Sequence, residues 1–363
     1  MAVLNDTLWP IERHTAAKHE ILRKYLDAWL PILGMYNKRL LYIDGFAGPG
    51  EYTGGEPGSP IIALEAAIAH VGSISGELIL MFVEERADRV AHLNSCIAKL
   101  RVPPNFKILV AQSNFAQRAT KALDKMDGDP TNVPPTFALI DPFGFAGIPY
   151  ELINRLLAKD KCEVLINLMV DHINRFLTHP HDEVRRHITD AFGTEEALKI
   201  AFGPGSRAEA LRDLYQRQLQ KAARFVRYFD IRDSDHRTIY YLFFASNNRL
   251  GHLKMKEAMW KVDRFGEFRF SDALDPNQRL LFDAPATAPL AEELSQTFRG
   301  MGQQSLEDIE SHVEDNTAYL GKHMRAALQQ LETERRLQVA ELKSDGKKRR
   351  TGTFPKATLV TFL

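Results

Sequence analysis

Five short apolar segments separated by helical segments constrain the fold of this chain more than any other sequence feature. The apolar segments cover residues 39–44, 77–83, 106–110, 136–141 and 162–169. Apolar runs of this length with helical segments between them are typical of parallel strands that helices cover on both faces. The sequence therefore predicts an α/β fold built on a doubly wound, Rossmann-like sheet.

Two aromatic and β-branched segments follow, at residues 225–231 and 238–245, and the polar sequence RDSDHR joins them. We expect these segments to form an antiparallel pair at one edge of the sheet. Such a pair distinguishes the seven-stranded methyltransferase sheet, whose last strand is antiparallel, from a plain dinucleotide-binding sheet. The mostly polar region at about 172–222 is predicted to be a helical insertion within this domain.

The last part of the chain predicts a separate domain. The Pro- and Ala-rich sequence DAPATAPL at 283–290 is typical of a linker. Beyond it, three short helices and a ribbon predict a winged helix-turn-helix. We therefore expect a methyltransferase-like α/β domain at 1–283 and a winged-helix domain at 290–363.

Charge is balanced overall but segregated within the winged-helix region. The chain has 47 Lys and Arg residues and 47 Asp and Glu residues, so its net charge gives no field that attracts a polyanion. Residues 284–319 contain seven acids and one base, whereas residues 320–363 contain ten bases and four acids. The run Lys347, Lys348, Arg349 and Arg350 at the wing tip is either a solvated turn or a phosphate contact to nucleic acid.

Composition and cysteine count exclude several classes of protein. Hydrophobic residues at 44% and charged residues at 26% are values of an ordinary folded protein. With only Cys96 and Cys162, a disulfide framework and a Cys-based metal or Fe–S site are excluded, and no metal is expected. His179 and His181 lack the spacing of metal ligands. We expect a cytoplasmic protein, since neither a secretion signal nor a membrane-spanning apolar stretch is found.

The turn after the first predicted strand has the composition of a ligand-binding loop. Asp44 ends the strand, and Gly45, Gly48 and Gly50 allow the backbone to approach a ligand closely. Glu84, at the end of the second strand, could accept hydrogen bonds from both ribose hydroxyls of a nucleoside cofactor. The GxGxxG spacing is absent, which favours S-adenosylmethionine over a nicotinamide cofactor. The alternative is a structural turn followed by an acid that starts a helix.

Asp141, Pro142 and Phe143 follow the fourth predicted strand. In enzymes that methylate an exocyclic amine, an acid or amide here and the carbonyl of the next proline accept the amine hydrogens, which frees the nitrogen lone pair. Phe143 stands where a second proline is usual, and Gly144 where an aromatic residue is usual. The alternative role for Asp141 is to cap a helix. Asn167 is another polar group at the same edge, and a strand-end Asn with satisfied hydrogen bonds is its simplest interpretation.

Five segments together resemble the three-Cys-motif partner protein family (TcmP): KHEILRKYLDAWLPIL, YIDGFAGPGEYTGGEPGSP, LIDPFGFAGIP, INLMVDHINRF and MKEAMWKVD. The resemblance spans nearly the whole chain. It implies a methyltransferase-like fold and a genomic association with a radical-SAM-like protein that carries three cysteines. It implies no particular reaction, since the family is known mainly by that association.

The resemblance also implies positions for a cofactor and an acceptor. The methionine end of S-adenosylmethionine falls on Asp44, Gly45, Gly48 and Gly50, the ribose on Glu84, the adenine near Ser113, Asn114 and Phe115, and the acceptor on Asp141 and Pro142. The first hypothesis is a methyltransferase acting on a nucleic-acid base, on which Phe143 would stack. The alternatives are a non-catalytic nucleic-acid-binding or adaptor subunit of the radical-SAM-like partner, and methylation of a small molecule.

Overall fold

A computed structural model describes residues 6–263, 266–272, 286–340, 349–355 and 358–363. The described residues divide into two compact units. The first unit holds residues 6–262 and 269–272, and the second holds the remaining described residues. Lys347 and Lys348, the first two residues of the predicted basic run, lie outside the described residues.

The first unit alternates strands and helices. Its strands are β1 (Arg39–Asp44), β2 (Glu77–Glu84), β3 (Phe106–Gln112), β4 (Thr136–Ile140), β5 (Cys162–Leu168), β6 (Phe225–Arg232), β7 (Thr238–Ser246) and β8 (Arg269–Ser271). Its helices are α1 (Arg13–Gly34), α2 (Ser59–Ala69), α3 (Ala87–Ala98), α4 (Phe115–Gly128), α5 (Tyr150–Leu157), α6 (Val170–Phe176), α7 (Asp182–Phe192), α8 (Glu196–Lys199), α9 (Arg207–Leu219) and α10 (Arg249–Val262).

The eight strands form one mixed sheet in the order β3-β2-β1-β4-β5-β7-β6-β8. Strands β1 to β5 pair in parallel, and β7 runs antiparallel to both β5 and β6. The predicted α/β class and the antiparallel pair are confirmed, but the predicted count of seven strands is wrong. The additional strand, β8, pairs in parallel with β6 and is three residues long, which is too short to give a sequence pattern.

Burial follows the apolar pattern of the sequence. Every residue of β4 and β5 is buried, as expected for central strands covered on both faces. Helix α1 buries a stripe that includes Ile21, Leu22, Tyr25 and Trp29, whose spacing of three and four residues places them on one face. Helices α6 to α9 lie between β5 and β6 in the chain, which is where the helical insertion is predicted.

The second unit consists of α11 (Ala288–Phe298), β9 (Gln303–Ser305), α12 (Leu306–Asn316), α13 (Gly321–Thr333), β10 (Leu337–Val339) and β11 (Leu359–Phe362). Its strands form an antiparallel sheet in the order β10-β11-β9. Apolar residues from all three helices and from the sheet share one core, including Leu294, Ile309, Leu328 and Val360. Three helices and a three-stranded ribbon in this order form a winged helix.

Candidate cofactor and substrate cleft

The carboxyl ends of the parallel strands meet at one edge of the sheet. Strand β1 ends at Asp44 and β2 at Glu84, while Asp141 follows β4 directly and Asn167 lies near the end of β5. A cavity of about 350 Å³ opens at this edge, between the start of α1, the glycine loop (residues 45–58) and residues 141–143. Open α/β sheets bind their ligands at this end of the strands.

The glycine loop depends on backbone conformations that other residues rarely adopt. Gly48 and Gly50 have φ angles of 63° and 86°, in the left-handed region that glycine enters without strain. Both residues line the cavity. Gly45 is needed for a different reason, because a Cβ there would lie 2.6 Å from Cδ2 of Phe115. Phe115 therefore packs against the loop from within the core rather than lining the cavity.

Asp44 is fully buried and only partly hydrogen-bonded. Its Oδ1 accepts a hydrogen bond from the Phe46 N–H at 3.3 Å, and its Oδ2 has no hydrogen-bond partner among the described residues. Burial raises the pKa of Asp44 to about 7, although the nearby Ser59 hydroxyl and the hydrogen bond from the Phe46 backbone oppose the shift. The structure thus holds a carboxyl group at the start of the glycine loop that gains stability when a cation or hydrogen-bond donor approaches.

Glu84 reaches the glycine loop, as its position at the end of β2 predicts. Its Oε2 accepts a hydrogen bond from the Gly48 N–H at 3.0 Å, and its Oε1 accepts one from the Arg86 N–H at 2.9 Å. The ring of Trp9 covers the loop. If Gly48 carried a Cβ atom, that atom would lie 3.8 Å from Cη2 of Trp9. Glu84 therefore supports the loop, and each of its oxygens keeps a second lone pair.

The predicted adenine contacts have structural roles in this protein. Asn114 caps α4 by accepting a hydrogen bond from the Gln117 N–H at 2.8 Å. The Ser113 hydroxyl donates to the Asn114 carbonyl at 3.2 Å. None of these three residues is among the described residues that line the cavity. Asp44 and Glu84 do not line it either and lie behind the glycine loop.

Asp141 lies at the opposite wall of the cavity, where its side chain is 18% exposed and has two partners. The Lys18 ammonium forms a salt bridge with Oδ2, and Asn167 Nδ2 donates to Oδ1 at 2.7 Å. Burial alone would raise the pKa of Asp141, but the charge of Lys18 and the hydrogen bonds from Lys18 and Asn167 outweigh it and lower the pKa. Pro142 and Phe143 line the same cavity, and the Phe143 ring contacts Trp9 with centroids 5.4 Å apart.

Asn167 presents an unmet acceptor in this cavity. It is 4% exposed, and its Oδ1 has no hydrogen-bond partner within the described part of the chain. The orientation of the amide follows from Asp141, because a carboxylate can only accept and so requires the Nδ2 side. Asn167 was predicted to have satisfied hydrogen bonds, and its free Oδ1 contradicts that interpretation.

Two residues of α1 were missed by the sequence analysis. Lys18 lies beside Asp141, and its ammonium is 5.4 Å from the centroid of the Tyr240 ring. His19 is buried, and its pKa is lowered to about 3 by burial and by the neighbouring charge of Lys18. The apolar stripe of α1 contains a signal for Lys18, since it precedes Ile21 by three residues and Leu22 by four.

In the second unit, α13 and the wing form a polar groove. Lys322, Arg325 and Gln329 are exposed on one face of α13, and Arg350 lies on the wing side of the groove. Arg349 has an internal role instead: its guanidinium pairs with Glu332 and donates to the Thr353 carbonyl at 2.7 Å. Of the predicted basic run, Arg350 is the described residue that the groove exposes.

The sheet defines the class of the first unit. Its first seven strands follow the order β3-β2-β1-β4-β5-β7-β6 with β7 antiparallel, which is the arrangement of methyltransferase-like α/β sheets. Similar solved structures include Trm1 from Pyrococcus horikoshii with S-adenosyl-L-methionine (11% identity, TM-score 0.35, covering 71% of this chain and 61% of that chain). Another is precorrin-6y C5,15-methyltransferase from Geobacter metallireducens (12% identity, TM-score 0.29, covering 61% and 87%).

The match to Trm1 thus spans less than two thirds of that protein. Residues 269–344 match the family model of the GMT-like wHTH domain, in agreement with the winged helix of the second unit. No curated protein matches the sequence of this chain. None of the described helices is long and apolar enough to cross a lipid bilayer.

Proposed function

We propose that this protein is an S-adenosylmethionine-dependent methyltransferase that acts on a nitrogen of a nucleic-acid base. The observation that carries the proposal is a pair of buried, unmet oxygen acceptors at one edge of the sheet. Asp44 Oδ2 lies at the glycine loop, and Asn167 Oδ1 lies at the wall formed by the ends of β4 and β5. Buried acceptors without partners destabilise a folded protein, so a ligand that supplies donors at both is favoured.

The residues present fit the methionine end of the cofactor. Asp44 would hold its cationic group, and the backbone at Gly48 and Gly50 would pack against it. The bound cofactor would supply an electrophilic methyl group on a sulfonium, so that catalysis consists mainly of placing the acceptor nitrogen. The remaining lone pairs of Glu84 would accept hydrogen bonds from the ribose hydroxyls. For this, Trp9 would either move away from Gly48 or form one wall of the binding site.

On the acceptor side, we assign the hydrogen-bonding role to Asn167 together with the Pro142 carbonyl. Asp141, the residue that the sequence indicates, is already occupied by Lys18 and Asn167. It positions the Asn167 amide so that Oδ1 faces away from it. An exocyclic amine that donates to Asn167 Oδ1 keeps its lone pair available for the methyl group. Phe143, with half of its surface exposed, is the aromatic residue available for stacking on a base.

The winged helix supports a nucleic-acid target. Lys322 and Arg325 lie in the first turns of α13, on the face that a recognition helix turns toward the groove of a duplex. Arg350 adds a cation from the wing side. Cations on both sides of one groove favour a phosphate backbone as the occupant.

A second candidate function is a non-catalytic nucleic-acid-binding or adaptor subunit of a radical-SAM-like partner with three cysteines. The position of Trp9 over Gly48 favours it, because the ring occupies space above the loop. The backbone hydrogen bonds of Glu84 favour it as well. The partner itself is supported by the sequence resemblance, and DNA repair is one setting for such a pair.

One experiment separates the candidates. The purified full chain is titrated with methyl-labelled S-adenosylmethionine and then incubated with total RNA, total DNA and a mixture of small metabolites. The proposal predicts binding and transfer to one nucleic acid, and a loss of transfer of about 100-fold in Asn167→Ala, as for the removal of one catalytic hydrogen-bonding group. Binding of the cofactor should be unchanged in that variant. Binding without transfer would favour the adaptor, and absence of binding would refute the enzyme.

Nucleic-acid binding has its own test. Counterion release predicts that affinity falls with salt, and that each lost phosphate contact lowers the slope of log K against log salt by about 1. Replacing both Lys322 and Arg350 with alanine should therefore lower the slope by about 2. Arg299→Ala removes a cation that does not line the groove and is the matched control. Equal slopes in the double variant and the control would contradict the proposed interface.

A further inference from the structure

Three side chains with metal-binding atoms meet beside the glycine loop. Glu51 belongs to the loop, and His92 and Cys96 lie four residues apart on α3, which places them on one face of the helix. One ligand atom of each residue lies within 4.8 Å of the other two. A carboxylate oxygen, an imidazole nitrogen and a thiol sulfur thus converge on one point.

The two distances from the sulfur match the edges of a tetrahedral centre. Cys96 Sγ is 3.5 Å from Glu51 Oε2 and 3.5 Å from His92 Nδ1. Tetrahedral zinc has Zn–S distances of about 2.3 Å and Zn–N and Zn–O distances of about 2.0–2.2 Å, so its S–N and S–O edges are about 3.5–3.6 Å. The sulfur and its two neighbours therefore need little movement to surround an ion.

The three side chains are accessible enough for an ion to enter, and their charges can balance the charge of a divalent ion. Cys96 is 6% exposed, while Glu51 and His92 are partly exposed and give access from solvent. A thiolate and a carboxylate together balance a charge of +2. Lys99 lies 3.9 Å from Glu51 Oε2, but its side chain is 69% exposed and can turn into solvent.

The metal-free contacts must change in one respect. His92 Nδ1 lies 2.8 Å from the Pro49 carbonyl, so in the metal-free protein this nitrogen donates to the glycine loop. Ligation through Nδ1 requires the proton to reside on Nε2. The hydrogen bond from His92 Nδ1 to the Pro49 carbonyl is then replaced by a coordinate bond from Nδ1 to the ion. Glu51, which belongs to the glycine loop, binds the same ion.

We propose that Glu51, His92 and Cys96 bind a Zn²⁺ ion that fastens the glycine loop to α3. A mixed sulfur, nitrogen and oxygen donor set with tetrahedral spacing suits zinc among the common divalent ions. A water molecule would complete the coordination. The site lies next to Gly50, whose φ of 86° is part of the loop conformation, so the ion stabilises the loop in that conformation.

Cobalt spectroscopy tests the site directly, because Co²⁺ substitutes for zinc and a cobalt–thiolate bond gives a near-ultraviolet charge-transfer band. The full chain is treated with a chelator, freed of it, and titrated with Co²⁺ and then Zn²⁺. The chain has two cysteines, so Cys162→Ser is the matched control for Cys96→Ser. Cys162 is fully buried on β5 and outside the cluster.

The proposal predicts a charge-transfer band that saturates at one equivalent of Co²⁺ in the wild type and in Cys162→Ser, and that Zn²⁺ abolishes. Cys96→Ser should lack the band, and His92→Ala should weaken Co²⁺ binding at least tenfold. Zn²⁺ should raise the Tm of the wild type and not of His92→Ala, since an ion that binds only the folded state stabilises it. A band that persists in Cys96→Ser, or no band with stoichiometric Co²⁺ in folded wild type, would overturn the proposal.

Discussion

Two aspartates at the same edge of the sheet differ in their partners and in their pKa. Asp141, after β4, accepts from Lys18 and Asn167, and its pKa is lowered. Asp44, at the end of β1, has one oxygen without a partner among the described residues, and its pKa is raised to about 7. Asp44 is completely buried, whereas the Asp141 side chain is 18% exposed. Burial and the partners of each carboxyl group therefore both contribute to the difference.

The comparison indicates a division of labour within the cleft. Asp141 is compensated within the protein and serves to hold its neighbours in place. Asp44 lacks such a cationic partner, and its pKa of about 7 keeps the carboxyl group mostly protonated below neutral pH in the free protein. Sites often place titratable groups in environments that move their pKa values apart, and here the uncompensated group lies at the glycine loop.

Removing the partner of Asp141 should have the largest effect. Lys18→Met leaves a carboxylate buried without its cation, and we expect the free energy of unfolding at neutral pH to fall by about 3–5 kcal/mol. Urea denaturation measures it. Lys24→Met, which removes a partly exposed lysine paired with the exposed Glu20 on the same helix, should cost less than about 1 kcal/mol. Equal losses in the two variants would show that Asp141 does not depend on Lys18.

The same pair predicts the acid limb of the stability profile. Because the folded-state pKa of Asp141 is lowered, its contribution to stability is present above the unfolded-state pKa and is lost as pH falls through the folded-state pKa. In Lys18→Met this acid-side loss should be smaller. An unchanged acid limb in urea titrations of the variant would contradict the assignment of the lowered pKa to Lys18.

Asp44→Asn should act in the opposite direction. The raised pKa of Asp44 means that stability declines as pH rises from about 4 to about 7, where the unfolded chain has already lost the proton. At about pH 8 the amide avoids the buried charge. A shift of about three pKa units at about 1.4 kcal/mol each gives an expected gain on the order of 4 kcal/mol. A variant less stable than the wild type at that pH would contradict this account.

The same substitution, Asp44→Asn, should weaken the binding of the cofactor. We expect Asp44→Asn to bind S-adenosylmethionine about tenfold more weakly at about pH 8, where the wild-type carboxylate is charged, and with a smaller deficit at about pH 6. Isothermal titration calorimetry at the two pH values measures both. An equal deficit at both would mean that Asp44 contributes a contact that is independent of its charge.

His19 should give the smallest effect. Its pKa of about 3 keeps the imidazole neutral across the range in which Asp44 titrates. His19→Gln should therefore leave the pH dependence of cofactor affinity unchanged, with affinities within about twofold of the wild type. A pH profile that loses its inflection in this variant would assign the titration to His19 instead of Asp44.

Strand ends were predictable from the sequence, and so were the residues located there. Apolar runs end at Asp44, Glu84 and Asp141, and parallel strands bring such ends to one edge. Strand β8 was not predictable because three residues carry no periodicity. The assignment of Ser113, Asn114 and Phe115 to the adenine came from the family resemblance, and in the structure Asn114 caps α4.

The contacts between charged residues that are distant in the sequence could not be predicted. Lys18 reaches Asp141 across 123 positions of the chain, and no local pattern encodes that pairing. Counting cysteines excluded a Cys-based metal site, yet Cys96 shares its surroundings with His92 and Glu51. The helical spacing of His92 and Cys96 is visible in the sequence, whereas the approach of Glu51 depends on the path of the glycine loop.

Proton release on cofactor binding tests the central claim most directly, namely that Asp44 is mostly protonated in the free protein at about pH 6 and ionises when a cation binds beside it. Calorimetric titrations with S-adenosylmethionine at about pH 6, in buffers of different ionisation enthalpy, count the protons released. We predict close to one proton for the wild type and close to none for Asp44→Asn. Binding without proton release in the wild type, or equal release in the variant, would contradict the claim.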